Sequence, residues 1–187
     1  MRKKPAIYLM VLLFTCCQLQ LVAADAEDAS AKLAKSLETW EQAKQKCHGN
    51  YSYTVRWQSF VGFGHETTVV VKGNKVAERR YREFKAPARR PAPKNPNVKP
   101  KPPEPLWVEK GKELGLHKKG AAAKTLDQLY QEAAAVAKRK LPANERRYLI
   151  FNKQGLLLSC FTVDTRIADD APTKGVNITR IQLDKAK

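Results

Sequence analysis

Apolar positions recur near the helical period at Leu33, Leu37, Trp40, Ala43 and Cys47, with Ser30 placed to cap the first turn. The spacing predicts an amphipathic helix over 29–47, packed on a sheet and stopped by Gly49 and Asn50. At Tyr51 the period changes. Tyr51, Tyr53, Val55 and Trp57 alternate with Ser52, Thr54, Arg56 and Gln58, the pattern of a strand with one face buried. "VGFGHE" at 61–66 interrupts the alternation, and a second strand is expected over 67–71. A turn at 72–75 and a third strand from 76 to about 84 complete a hairpin, with Gly73 and Asn74 supplying the turn chemistry. Arg79, Arg80 and Arg82 should divide between its two faces, at least one of them reaching solvent.

The segment 86–105, "APARRPAPKNPNVKPKPPEP", carries eight prolines and five basic residues in twenty positions. Proline lacks an amide donor and fixes φ, so this stretch can neither continue a helix nor sit in a central strand, and an exposed, extended excursion is expected. Residues 106–124 alternate charges with glycines and read as an ordered loop, with Leu106 and Trp107 pinning the far end of the excursion. A second helix is predicted from Thr125 to about residue 138. Thr125 and Gln128 are spaced as a capping box, and Leu126, Leu129, Ala133, Val136 and Ala137 form the apolar face. Strands follow at 146–151 and 156–163, and Ile178, Ile181 and Leu183 mark a short closing strand.

This order predicts an α+β domain, an antiparallel sheet of about five or six strands with two helices packed on one face. Neither half supplies a convincing core alone, so residues 27–187 are expected to form one domain from which 86–105 loops out. Residues 1–26 have the pattern of a signal peptide: Arg2, Lys3 and Lys4 precede an apolar run over 6–14, and small residues reach Ala24 and Ala26. The implied location is periplasmic or extracellular, with lipid anchoring through Cys16 as the alternative. An oxidising compartment permits a disulfide, and Cys47 and Cys160 are the expected pair; two buried thiols are the alternative. A structural zinc site is not expected, since His48, His65 and His117 have no compact spacing with the cysteines.

The formal net charge is +17. Eleven Lys or Arg against three Asp or Glu in residues 85–124 place much of it outside the expected strands and helices. Such a field attracts polyanions or anionic surfaces, whereas the Pro-rich run has no interleaved aromatics for nucleic-acid reading, and no specific nucleic acid is expected. The polyanion-binding candidates are Arg89, Arg90, Lys94, Lys99 and Lys101, and the partners an acidic polysaccharide, an anionic membrane surface or an acidic protein.

Catalytic signals are sparse. Asp164, Asp169 and Asp170 could ligate a hard cation but lack the spacing of a calcium loop, and read better as turn-forming residues, with Arg166 pairing nearby. His65 beside Glu66, and His117, titrate in a useful range yet have no oriented nucleophile, and Cys160 lies in an apolar strand. No catalytic residue, metal or cofactor is assigned.

The early Trp-containing helix, "YSYTVRW", "TVVVKGNKVAERRY", "TLDQLY" and "YLIFNKQGLLLSCFTVDTRIADDAP" together resemble the uncharacterised DUF6174 family of small exported bacterial domains, over about 50–171 without the basic insertion. The resemblance implies a small α+β protein, often lipid-anchored, and carries no catalytic residues. The chain departs from it in the Pro-rich segment and in "KQGLLLSC". The expectation is therefore an exported, non-enzymatic binding or structural module. A small secreted hydrolase using His65, His117 and the late carboxylates, and an accessory protein-interaction subunit with an uncovered apolar patch, are the alternatives.

Overall fold

Nothing between Ala6 and Lys46 breaks a helix. The run contains no glycine or proline and is rich in alanine, leucine and other good helix formers, so α1 spans Ala6–Lys46 in one piece. The computed structural model describes residues 6–85, 104–167 and 172–184, with side chains from Ala26 onward. Ser30 is consequently an interior helical position and not the expected cap. The helix also passes Ala26, the last residue of the expected leader, without a break. No described helix is long and apolar enough to cross a membrane.

The buried stripe of α1 runs through Ala29, Leu33, Ser36 and Trp40 and is continued by Cys47 just past the helix end, while Leu37 lies at its edge and is 36% exposed. Ser36 replaces it inside because its hydroxyl has partners there, donating to the Gly155 carbonyl at 2.6 Å and lying 2.8 Å from the Tyr130 hydroxyl. The helix closes with lysines in its last turn, and the Gly49 amide bonds back to the Lys44 carbonyl at 3.0 Å.

Strands β1 (Tyr51–Gln58), β2 (Phe63–Lys72), β3 (Lys75–Lys85) and β4 (Trp107–Lys110) form an antiparallel sheet, closed on its other side by β8 (Arg180–Leu183), in the order β4-β3-β2-β1-β8. Gly73 and Asn74 both have positive φ, 53° and 64°, and form the expected two-residue turn between β2 and β3. The sequence "FGHE" belongs to β2, which begins four residues earlier than its apolar run announces. The polar 106–124 region likewise contributes β4, whose Trp107 pairs with Tyr81 and whose neighbour Leu106 donates its amide to the Tyr81 carbonyl at 2.8 Å.

Helix α2 (Leu126–Lys138) begins with the full capping box: the Thr125 hydroxyl accepts from the Gln128 amide, and the Gln128 side chain accepts from the Thr125 amide. A second antiparallel sheet of β5 (Glu145–Phe151), β6 (Leu157–Asp164) and β7 (Lys174–Asn177) packs on α2 through β6 and β7. The expected single closing strand is thus two strands in two sheets, joined at Ile178, whose amide bonds to Leu158, and Thr179, whose amide bonds to Thr54. The five-stranded sheet with two helices against it is the α+β arrangement expected, and the three-stranded sheet is additional to it.

One core cluster draws on both halves of the chain. Trp40 meets Tyr51 edge-on at 4.9 Å and donates its indole N–H to Asp127 at 3.0 Å, tying α1 to the start of α2. The Tyr51 hydroxyl accepts from the Leu126 amide and the Tyr53 hydroxyl donates to the Lys124 carbonyl, which fixes that start over the sheet. Burial pushes both phenols up from their ordinary pKa, so they stay protonated.

The expected disulfide is absent. Cys47 and Cys160 are both buried free thiols, and each is turned to a different helix: Cys47 Sγ donates to the Lys44 carbonyl of α1, and Cys160 Sγ to the Ala133 carbonyl of α2. They serve as small apolar residues on separate walls of the core.

Candidate functional site

Strand alternation places Tyr51, Tyr53, Val69, Val71, Thr67, Arg79, Tyr81 and Glu109 on one face of the five-stranded sheet, and continues that face through Trp57, His65 and Phe63. The helices cover its first part. Over the middle lies the loop between β4 and α2. Its anchor is Glu109, 1% exposed, which receives two hydrogen bonds from Arg79 (2.8 and 2.9 Å), the amides of Gly115 (2.8 Å) and His117 (2.6 Å), and a contact from His117 Nδ1 (2.8 Å). Burial alone would raise the Glu109 pKa; the guanidinium and the two amides outweigh it and hold the carboxyl at about 2. Arg79 also donates to the carbonyls of Ala121 and His117, and the Ala121 amide donates to Thr67 Oγ1, so the loop is bonded to the sheet along its length. Gly120, at φ 85°, lies flat on the sheet because a Cβ there would come within 2.5 Å of Thr67 Oγ1 and 2.9 Å of the Tyr81 ring.

A run of stacked rings crosses the strands beside this anchor. His117 stacks on Trp107 (4.4 Å, 7°), Trp107 on Tyr81 (5.1 Å, 8°), Tyr81 meets His65 at 5.6 Å, His65 stacks on Trp57 (5.6 Å, 21°), and Trp57 meets Phe63 at 5.7 Å. The Arg79 guanidinium sits 4.8 Å over the Trp107 ring. The run is buried at its middle and open at both ends, with Tyr81 3% exposed, the His117 side chain 49%, Trp57 43% and Phe63 50%.

At the open end lies a cleft of ≈ 530 Å³, lined by Trp57, Phe63, Gly64, His65, Tyr81, Glu83, Phe84, Lys119 and Gly120. Its floor is aromatic, and its polar groups are few and convergent. Tyr81 donates to Glu83 at 3.0 Å and Lys119 lies 3.4 Å from the same carboxylate; these contacts hold the Glu83 pKa below its ordinary value. His65 Nδ1 is shielded from solvent and has no hydrogen-bond partner among the described residues. An apolar floor with a small number of placed polar groups is the usual make-up of a ligand site.

On the opposite face of the sheet, Arg80 pairs with Glu78, and Arg82 donates to Glu66 at 2.8 Å, so the three arginines of β3 do divide between the faces. Arg56 lies 4.1 Å over the Phe84 ring at the same open end. A second cavity of ≈ 480 Å³ beside the end of α1 is lined by Thr39, Gln42, Lys46, Cys47, Leu156 and Asp184, among others, and gathers no catalytic or ligating cluster.

The sequence candidates are distributed unevenly. Arg89, Arg90, Lys94, Lys99 and Lys101 lie outside the described residues, as do Asp169 and Asp170. Asp164 is held by Arg166 through two side-chain bonds of 3.0 and 2.6 Å and an amide bond, which lower its pKa, so it forms a turn on the smaller sheet. His65 and His117 belong to one stack but are separated in it by Tyr81 and Trp107, and neither hydrogen-bonds to a hydroxyl or thiol among the described residues. Cys160 is fully buried with its thiol pKa raised by burial, which removes it as a nucleophile for His117. No three His, Cys, Asp or Glu residues among those described are grouped to hold a metal.

Trp57, Phe63, Tyr81 and Lys119 did not stand out as site residues in the sequence. The available signal is apolar chemistry where a turn should be polar: "SFVGF" at 59–63 joins two strands, and the alternating stripe of β1 runs on to Trp57, past the end the helices cover. No family model, no curated protein and no solved structure matches the chain.

Proposed function

We propose that this protein is a non-enzymatic binding module that engages an anionic partner at the open end of its five-stranded sheet. The observation that carries the reading is the stack of rings on paired strands, anchored at Glu109 and ending in an aromatic cleft with Lys119 on its rim and Arg56 behind it. A catalytic assignment gains nothing from the same residues, since Glu109 is occupied by five hydrogen-bonding contacts away from the cleft, and Glu83, the acid of the cleft, is held by Tyr81 and Lys119. Rings fixed on strands give a contact area that costs little conformational entropy on binding, and the cations supply attraction and steering.

A protein of charge +17 binds any polyanion weakly, so the test must locate the binding. Two variants of equal charge loss serve: R56A/K119A at the cleft, and K138A/K140A at the far end of α2. Binding to dextran sulfate and to vesicles containing an anionic phospholipid is followed at low and moderate salt. At about 1 kcal/mol per cation, the cleft variant should lose roughly 30-fold in affinity for at least one probe and the control much less. Equal losses in the two variants for both probes would remove the site.

A further inference from the structure

We propose that the turn between β1 and β2 is a membrane-insertion tip, and that the anionic partner is a phospholipid surface. This rests on the binding reading above and names its partner.

Residues 59–62 close a tight turn, with the Ser59 amide bonded to the Phe63 carbonyl at 2.9 Å and the Gly62 amide to the Ser59 carbonyl at 3.0 Å. The turn carries Phe60 and Val61 where polar residues are the rule, at 90% and 58% exposure. Trp57 and Phe63 flank it, half-exposed, on the strands that support it. Four large apolar side chains therefore project from one narrow end of the sheet, too few and too convex to make the flat core of a stable protein interface.

Around their base are cations. Lys85 is the register partner of Phe63, Lys119 lines the cleft with Trp57 and Phe63 and pairs there with Glu83 at 3.4 Å, and Arg56 lies on the Phe84 ring, so three cations stand against one carboxylate. An apolar point inside a basic collar matches an anionic bilayer, whose headgroups meet the cations while the acyl boundary accepts the rings. Trp57, 43% exposed beside the tip, is of the residue type that concentrates at membrane interfaces. A soluble acidic polymer would use the collar and leave Phe60 and Val61 in water.

The full chain is assayed by vesicle flotation with phosphatidylcholine alone and with phosphatidylglycerol added, and in parallel against dextran sulfate. F60S/V61S is the informative variant, since both residues are exposed, no core contact is lost and no charge is added beside the cations. It should lose roughly ten- to a hundred-fold in affinity for anionic vesicles while polymer binding stays near wild type. Lipids brominated near the headgroup should quench Trp57 fluorescence in wild type and not in the variant, with W57F subtracting the signal of Trp40 and Trp107. Vesicle binding that F60S/V61S leaves intact overturns the proposal, as does an equal loss for vesicle and polymer, while the binding reading survives both. Absence of any site-dependent binding to either probe overturns the two together.

Discussion

Replacing Glu109 by glutamine changes one atom and should loosen the whole middle of the inner face. Both carboxylate oxygens are acceptors: Oε2 takes Arg79 Nε and the Gly115 amide, and Oε1 takes Arg79 Nη2, the His117 amide and His117 Nδ1. Glutamine offers one oxygen and one NH₂, so in either orientation the NH₂ points at N–H donors. Arg79, 3% exposed, is left as a buried cation without its counter-ion. Breaking a buried pair in this way costs about 3–5 kcal/mol, which for a chain of this size lowers the melting temperature by roughly 6–20 °C at 2–4 °C per kcal/mol. Urea denaturation with an unchanged slope is the assay, and Glu83→Gln is the comparator, since Glu83 pairs at the surface, where solvent screens the pair and its loss costs little. Unlike a simple ion pair, this one is not rescued by two apolar residues, because the amides of Gly115 and His117 and the carbonyls of Ala121 and His117 would lose their partners too. A loss in E109Q no larger than that in E83Q would refute the account.

The same carboxyl fixes the acid limb of stability. Its folded pKa of about 2 lies below the unfolded value, so its contribution is complete above about pH 4.5 and is lost as pH falls toward 2; E109Q should flatten that part of the stability–pH curve, and an unchanged slope there would count against it. The thiols give an independent check on the core: Cys47 and Cys160 should resist iodoacetamide in the native protein and react in denaturant without any reductant, and a peptide linking them under non-reducing conditions would contradict the observed core.

The parts of the fold legible in the sequence are those where local chemistry and tertiary environment agree. The Thr125–Gln128 box, the Gly73–Asn74 turn and the alternation of β1 each encode their element without outside help. The misreadings share a cause, which is that the deciding contact is remote. Ser30 has the chemistry of a cap, yet the alanine-rich run before it has no reason to stop being helical. "GHE" reads as irregular because Gly64, His65 and Glu66 have no apolar period, but pairing with β1 and β3 on both sides makes them strand. β4 is four residues long, with a burial pattern set by Tyr81 and Arg79 on the neighbouring strand. An oxidising compartment and a place beside core elements suggest a pair of cysteines, whereas helix carbonyls on two walls decide where their sulfurs point.

The candidate site was hidden for a related reason. Tyr51, Tyr53 and Trp57 are indistinguishable as a stripe, and all three read as core. Helix coverage separates them: Tyr51 and Tyr53 reach the start of α2, whereas Trp57 lies beyond it, near the loop that Glu109 ties down. The buried Arg79–Glu109 pair is thereby linked to the cleft without touching it. It holds residues 115–121 on the sheet, which sets Lys119 and Gly120 as the cleft wall. If that linkage is real, E109Q should weaken vesicle binding even where the variant is fully folded, and restoring stability by osmolyte should leave the binding defect in place, because the lost element is the position of Lys119 and not the population of folded chains. Full recovery of binding with stability would mean that the wall forms on the partner and the anchor is structural alone.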